Sequence, residues 1–439
     1  MYLPNLRSAS SNVAAIRRHI PPLPLKDSQF SLDTSGVAGF FGGPEAVSAM
    51  ATVHVYEGRR WLGWYNSPGA YEISKAYGQL ANSRFWDGLY PGPNTDPATL
   101  FGLDGKKGPR FRSFQSGTVI PNSGHLGALL MQECEDTKGI KFPGRQGFGV
   151  FVTVVELEQA PSSVMRPRLL RTHSVLLASI PIIASAATCV LSGLFQDWYA
   201  FSLILFGVIA SGIACWVVGS GELAFTHPKP APGIPPGDGM LVGESGIVIL
   251  KGDENAVNSI TRGRFSLRFK SEPAYNNIGL ASMLLTIQFV AQLLLVPQAT
   301  LFGQILFVIS MAVSWGYNSW LSSLDKDKIQ REILMQHVLS NPPKKRFDVG
   351  TRTTMAVLAC LLLQPNNPKR VLEDLIPNDT EVWNRFKRGV SEMMEKGERI
   401  ALPSNDLDGL DDHEQNLLNT FYDDAQVAVE GFSLHFKST

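Results

Sequence analysis

A chain of 439 residues is long enough for two or three domains, and its 39 acidic and 39 basic side chains cancel to a formal net charge of zero. The hydrophobic share of 44% is ordinary, and we expect no nucleic-acid partner. The four cysteines lie apart, which excludes a disulfide framework and a CxxC metal pair, and the HExxH zinc motif is missing. We therefore predict no metal and no cofactor.

The first soluble region is predicted to contain β-structure. Residues 1–50 are expected to form a flexible N-terminal tail, because several prolines argue against a targeting helix. The stretch 52–65 alternates about a Glu-Gly break and predicts a β-hairpin, followed by a helix that ends near Leu80. A strong strand is predicted over 147–159. We expect residues 51–171 to form a cytosolic α+β segment.

Four apolar segments then predict transmembrane helices. At about 1.5 Å per residue each is roughly 28–34 Å long, close to the ~30 Å hydrocarbon core of a bilayer. They form two tight pairs, which predicts two transmembrane hairpins, 172–221 and 278–321. The alternative is a set of buried helices in a globular core. The segments are Ser174–Phe195, Tyr199–Gly221, Ile278–Val296 and Leu301–Leu321.

Gln196 and Asp197 lie in the middle of the first apolar stretch and predict its turn. An Asp at the centre of a bilayer costs roughly 2.5–3.5 kcal/mol on the insertion scale. Between two spans the same side chain is expected to lie in water without that cost. In the second pair, Pro297 marks the corresponding turn.

Charge predicts the orientation of the spans. The two turns carry no Lys or Arg, whereas basic residues flank the other ends of the helices. By the positive-inside rule, the N-terminus, the 222–277 connection and the C-terminus face the cytosol, in a membrane that the sequence does not identify. The flanking residues include Arg166, Arg168, Arg171, Lys326, Lys328 and Arg331.

The cytosolic connection contains a basic strand. After a Pro/Gly-rich linker at 226–239, strands are predicted at 246–252 and 262–270. A period of two places basic side chains on one face of the second strand. They are predicted to contact either Glu156 and Glu158 or anionic lipid headgroups, and the plain alternative is a solvated face. The proposed lipid- or anion-binding residues are Arg262, Arg264, Arg268 and Lys270.

The remaining region, 322–439, is predicted to be cytosolic and helical. The apolar run 354–363 is too short to span a bilayer and is assigned to a bundle core. The acidic stretch 404–415 is similar to a calcium loop, but Gln415 replaces the bidentate Glu, so no calcium site is predicted. Further helices are predicted at 324–339, 378–397 and 412–430.

The predicted spans contain no ionisable side chain at depth, although such residues mark most ion-coupled transporters. Gln288, Gln292 and Gln304 are the polar exceptions and form a hypothetical intramembrane cluster. Their amides either line a solute path or form hydrogen bonds between helices, each contributing about 0.6 kcal/mol.

Four blocks carry a resemblance to a protein family. They are "THPKPAPGIPPGDG" (226–239), "VNSITRGRFSLRFKSEP" (257–273), "YNSWLSSLDKDKIQ" (317–330) and "PNDTEVW" (377–383). The chain resembles uncharacterised multi-pass membrane proteins of mushroom-forming (basidiomycete) fungi over most of its length. This resemblance implies no activity and assigns no functional residue.

The sequence thus predicts an α-helical membrane protein with four transmembrane helices in two hairpins and a cytosolic α+β portion. P-loop, GxSxG and GxGxxG motifs are missing, so we favour a non-enzyme. The leading hypothesis is a membrane-anchored cytosolic scaffold that binds the lipid bilayer and protein partners. The alternatives are a small-solute transporter or channel and a lipid-binding or lipid-modifying enzyme.

Overall fold

The computed structural model of the chain describes residues 23–28, 41–56, 58–81, 83–92, 95–145, 147, 149–158, 172–269 and 275–436. These residues belong to two compact units. Unit 1 comprises Met1–Leu103, Arg166–Ala224 and Ser266–Lys326, and unit 2 comprises Asp104–Met165, Phe225–Phe265 and Asp327–Thr439.

Helices dominate the chain and are numbered here in chain order. Short 3₁₀ turns occupy Thr52–His54, Arg59–Trp61, Val296–Gln298 and Ser404–Leu407, and a π-helical turn occupies Leu334–Val338. The α-helices are α1 (Gly43–Ala51), α2 (Ala70–Gly78), α3 (Arg84–Leu89), α4 (Pro97–Leu100), α5 (Gly124–Glu135), α6 (Thr172–Leu194), α7 (Trp198–Val218), α8 (Glu254–Thr261), α9 (Asn276–Leu295), α10 (Leu301–Ser322), α11 (Lys326–Ile333), α12 (Arg352–Leu363), α13 (Pro368–Leu375), α14 (Glu381–Lys396) and α15 (Asp412–Phe436).

In the described residues, nine strands form two sheets. They are β1 (Arg110–Ser113), β2 (Val119–Ile120), β3 (Gly139–Lys141), β4 (Phe151–Leu157), β5 (Glu222–Thr226), β6 (Gly239–Val242), β7 (Gly246–Gly252), β8 (Arg264–Arg268) and β9 (Lys344–Asp348). Seven of them form a mixed sheet in the order β2-β1-β6-β7-β4-β9-β3, in which β4 is parallel to β7 and antiparallel to β9. β5 and β8 pair separately.

Unit 1 is a helical bundle. α6 packs against α7 and α10, and α7 also packs against α9. The short helices α1 and α2 belong to the same bundle as the long helices. α1 contacts α10, α2 contacts α9, and α1 and α2 contact each other. Both short helices begin after a glycine in the left-handed region, Gly42 (φ 69°) and Gly69 (φ 73°), where a side chain would be strained.

Unit 2 packs helices against the mixed sheet. The apolar helix α12 contacts β4 and β7 of the sheet as well as α13 and α15. Its buried side chains join Val152, Ile249, Phe347 and Phe386 in the core of this unit. The prediction that the short apolar run 354–363 lies in a core is confirmed, but this core is formed by the mixed sheet and helices and not by a helical bundle.

The described ranges contain four helices long and apolar enough to cross a membrane, as the sequence predicts. Three of the predicted soluble elements also lie where they were expected: the strand at 246–252 and the helices at 378–397 and 412–430. The four candidate spans are Val175–Leu194, Trp198–Val218, Asn276–Gln298 and Leu301–Ser322.

The predicted β-hairpin at 52–65 is wrong. This stretch contains two 3₁₀ turns and an irregular chain, and residues 51–56 are all buried regardless of their alternation. The alternation in 52–56 therefore does not separate a buried face from an exposed one, and the backbone forms a 3₁₀ turn instead of pairing with a second strand. Residues 51–103, expected in a separate cytosolic segment, belong to the same compact unit as the four long helices.

Candidate functional site in the helical bundle

A segment outside the four long helices enters their bundle. Residues 59–69 pack closely against α7 at two glycines, Gly63 of this segment and Gly212 of α7. A Cβ at Gly63 would lie 2.8 Å from Cys215 Sγ, and a Cβ at Gly212 would lie 2.7 Å from Trp64 Cζ3. Real Cβ atoms essentially never come so close to another heavy atom. The missing side chains therefore let this segment approach α7 closely. We call residues 59–69 the inserted segment.

Asn66 in the inserted segment is 0% exposed and contacts the long helices of the bundle. Its backbone N–H donates to Ser185 Oγ (3.0 Å) on α6, and its Nδ2 donates to Ser310 Oγ (2.8 Å) on α10. Its Oδ1 accepts from Gln292 Nε2 (3.3 Å) on α9. On α7, Gly207 leaves the space that Asn66 Oδ1 occupies. One asparagine thus adjoins all four long helices.

A second chain of polar contacts extends from the same segment. Arg59 Nη2 donates to Tyr65 Oη (3.1 Å), whose hydroxyl donates to Asn318 Oδ1 (2.8 Å). Asn318 Nδ2 in turn donates to Ser67 Oγ (3.1 Å). Because Tyr65, Asn66 and Ser67 are consecutive, both sets of contacts belong to one polar cluster in the interior of unit 1.

The predicted glutamine cluster divides in the structure. Gln288 and Gln292 are both 0% exposed and lie one turn apart on α9. Neither polar atom of the Gln288 amide has a hydrogen-bond partner among the described residues, and Gln292 Oε1 and Ser314 Oγ have none either. Gln304 lies elsewhere: its Nε2 donates to the carbonyls of Ala299 (3.1 Å) and Pro297 (3.4 Å) and closes its own turn.

The basic strand has the expected alternation but not the partner strand that we considered for it. In β8, Arg264 and Arg268 are exposed while Phe265 and Leu267 are buried. Arg262 is exposed just before the strand, and Lys270 lies outside the described residues.

Of the alternatives for this strand, the one that placed it opposite Glu156 and Glu158 is wrong. β8 pairs with β5, whereas Glu156 lies opposite Lys251 in the pairing of β4 with β7. Strand pairing is decided by long-range topology, which residue alternation does not contain.

The expectation that Asp197 lies in water is also wrong. Asp197 is 3% exposed. Its Oδ1 accepts from the backbone N–H of Ala200 (3.0 Å) and so caps α7, and its Oδ2 accepts from the N–H (2.8 Å) and hydroxyl (2.5 Å) of Thr300. Three donors offset the cost of burying the carboxylate. Asp197 thereby joins the turn before α7 to the turn before α10.

His54 lies in unit 1 outside the four long helices. The ring centroids of His54 and Phe101 are 4.4 Å apart, and the Nδ1–H tautomer donates to the carbonyl of Gly221 (3.2 Å). Burial lowers the pKa of His54 to about 4, because the charged imidazolium would lose its hydration. His54 is therefore neutral near pH 7.

Sequence reasoning missed Arg59, Asn66 and Asn318. The signals present were the Asn-Ser-Pro-Gly run at 66–69 and the small residues Ser185, Gly207 and Ser310 inside the predicted spans. Small residues let backbones approach closely within a helical bundle, and Pro-Gly interrupts regular structure. Neither pattern shows that residues 66–69 pack against these small residues.

No protein-family model, curated protein or solved structure matches this chain. The resemblance to fungal multi-pass proteins stays a prediction. The candidate site is therefore interpreted from its own chemistry.

Proposed function

We propose that the four long helices cross a membrane as two hairpins, α6–α7 and α9–α10, with both termini in the cytosol. Two observations support this topology: the length of the helices, and the basic residues that flank the helix ends opposite the turns at Asp197 and Pro297. A tag inserted after Asp197 and one after Thr439 should be labelled from opposite faces of sealed vesicles. Labelling from the same face, or extraction of the chain by alkaline carbonate, would contradict it.

Within that topology we propose that unit 1 binds a small polar solute and passes it through the bundle, as a transporter or channel. The observation that carries this proposal is the placement of Asn66 next to all four long helices. Irregular backbone at membrane depth is tolerated only where it is buried in protein or lines a polar cavity. Many transporters bind their substrates near the bilayer midplane, where non-helical backbone contributes to the site.

The alternative is that these amides only hold helices together. A buried polar group that lacks a partner costs about 1–3 kcal/mol, more than an average interhelical hydrogen bond contributes. Gln288 has two such atoms, whereas Gln304 in the other helix of the proposed hairpin has none. An amide that served only stability would not be kept unpaired. Substitution of Gln288 and of Gln304 therefore distinguishes a solute path from purely structural hydrogen bonding.

The experiment compares Gln288→Leu with the matched control Gln304→Leu in proteoliposomes. We expect Gln288→Leu to abolish flux of small polar solutes while the protein stays as stable as the wild type, because the substitution removes two unpaired groups. We expect Gln304→Leu to lower stability by about 1 kcal/mol or more and to retain flux. No flux of neutral or anionic solutes in the wild type would refute the proposal.

A membrane-anchored platform for protein partners is the second candidate. The observation that favours it is unit 2, which has its own sheet, helices and apolar core and needs no part of the bundle to form them. Purification in mild detergent should then yield a stoichiometric partner that remains bound through gel filtration. Loss of that partner on deletion of α13–α15 would assign it to unit 2.

A further inference from the structure

Arg59 is a buried cation in the interior of unit 1. It is 2% exposed, and the hydrogen-bond acceptors of its guanidinium are the hydroxyl of Tyr65 (3.1 Å) and the Sγ of Cys215 (3.7 Å). The guanidinium carbon lies 5.4 Å from the centre of the Tyr317 ring, and Nε has no hydrogen-bond partner in the part of the chain that the structure describes. Among the described residues, no carboxylate oxygen lies within 4.0 Å of it.

The other buried arginine and lysine side chains in the described ranges, Arg112 and Lys387, are compensated. Arg112 forms an ion pair with Asp374 (3.0 Å), and Lys387 donates to the backbone carbonyls of Asn378 (2.6 Å) and Ile376 (3.5 Å). Among the described residues, the groups that contact the Arg59 guanidinium are a phenol, a thiol and an aromatic face, and an ordinary phenol and a buried thiol are uncharged at neutral pH. An arginine cannot lose its proton in a protein, so the charge remains.

An unpaired charge in a dry interior costs several kcal/mol. Such a cost is retained where the charge has a function, and an ionisable residue in a membrane interior marks a binding site by default. The four spans contain no such residue at depth, but the inserted segment brings one to them.

We propose that Arg59 binds a small monovalent oxyanion of the carboxylate class, which is the solute of the bundle. The inference rests on the proposed function. One cation that has no counterion in the described part of the chain requires one negative charge, so a monovalent anion restores neutrality. The free Nε–H together with an Nη–H presents the parallel donors that a carboxylate accepts in bidentate geometry.

The position of Arg59 fits entry of this anion from the cytosolic side of the proposed topology. Its contacts Cys215 and Tyr317 lie near the last turns of α7 and α10, at the helix ends that we assign to the cytosol. From Arg59, the chain Tyr65–Asn318–Ser67 leads to Asn66 at the centre of the bundle. Arg59 attracts the anion electrostatically. The neutral amides of Asn318 and Asn66 then provide hydrogen-bond donors along the path into the bundle.

The test uses the full chain in detergent and in proteoliposomes, with sodium formate and sodium acetate as probes and sodium chloride at equal ionic strength as reference. Formate should raise the melting temperature of the wild-type protein in detergent. It should also enter proteoliposomes that contain the wild-type protein. We expect Arg59→Gln to bind formate at least about thirtyfold more weakly than the wild type, because the charge pair is lost. Arg59→Lys keeps the charge but not the fork and should be intermediate.

Arg60→Gln is the matched control, since Arg60 is the next residue and lies over the ring of Trp61 (5.0 Å). It should bind formate like the wild type. Without anion, Arg59→Gln should be at least as stable as the wild type, because it removes an uncompensated charge. That result shows that the variant folds, so its loss of binding is attributed to the site.

Three outcomes overturn the inference: formate without effect on the wild type, formate binding unchanged in Arg59→Gln, or chloride as effective as formate. Flux of glycerol or urea that requires Gln288 but not Arg59 would support the proposed function and reject the anion. Formate binding that requires Arg59, without flux of any solute, would support the anion site and reject transport. The two failures are therefore distinguishable.

Discussion

Replacing Gly207 by Ala should displace the inserted segment from the bundle. A Cβ at this position would lie well under 3.0 Å from Asn66 Oδ1 and 3.2 Å from Gln292 Nε2, inside the 3.4–4 Å of ordinary contact. Neither neighbour is the free end of a mobile side chain, because Asn66 is held by α6 and α10 and Gln292 by Asn66 itself.

The expected loss of stability combines two effects. Overpacking a dense interior costs about 1–3 kcal/mol, and each hydrogen bond of Asn66 that breaks costs about 1 kcal/mol. The gain in helix propensity from Gly to Ala offsets about 1 kcal/mol. We therefore expect Gly207→Ala to lower the free energy of unfolding by about 2 kcal/mol and to reduce solute flux with it.

The control is Gly316→Ala in α10, where a Cβ would meet nothing within 4 Å. This change should be neutral or stabilising by up to about 1 kcal/mol. The assay is thermal unfolding of both variants in the same detergent, together with a double-mutant cycle that adds Asn66→Ala. Removal of Asn66 Oδ1 should relieve much of the defect of Gly207→Ala. Equal stability of the two glycine variants, or additive effects in the cycle, would refute the placement of Asn66.

Three further predictions concern other buried groups. Asp197→Ala should cost about 2–4 kcal/mol, because it removes a helix cap and leaves Thr300 without its acceptor, while Asp197→Asn should cost less in the same thermal assay. The pKa of His54 is about 4 in the folded state against an ordinary 6.5, so the unfolded state binds the proton first. Stability should fall by about 3 kcal/mol from pH 6.5 to pH 4, and His54→Phe should flatten this part of the pH profile. Burial raises the pKa of Cys134 and Cys360 to about 12, so both thiols in unit 2 should react with maleimide at least about a hundredfold more slowly in the native protein than in urea, and equal rates would contradict their burial.

Local patterns in the sequence were sufficient for several elements. The four long helices follow from runs of apolar residues without charge, because hydropathy and length alone decide whether a helix can cross a bilayer. The strand at 246–252 follows from a short apolar run between glycines, and the helix α14 follows from a start signal at Asp379 or Thr380. Their signals lie within the segments themselves.

The sequence also identified Gln288 and Gln292 as polar residues in apolar helices, and it recognised Asp197 as the residue that separates two of them. It did not reveal what surrounds these side chains. Asp197 is buried rather than hydrated because Thr300, 103 residues further along the chain, supplies donors to its carboxylate. Burial of a polar group depends on such a partner, and the partner is not local.

Only the tertiary structure decided the candidate site. Asn66 is separated from its partners Ser185, Gln292 and Ser310 by 119, 226 and 244 residues, and Arg59 from Cys215 by 156. Hydropathy reports how each stretch partitions between water and lipid, so it found the helices. It carries no information on which soluble-looking stretch fills the space between them, because that choice depends on shape and on hydrogen-bond partners from distant parts of the chain.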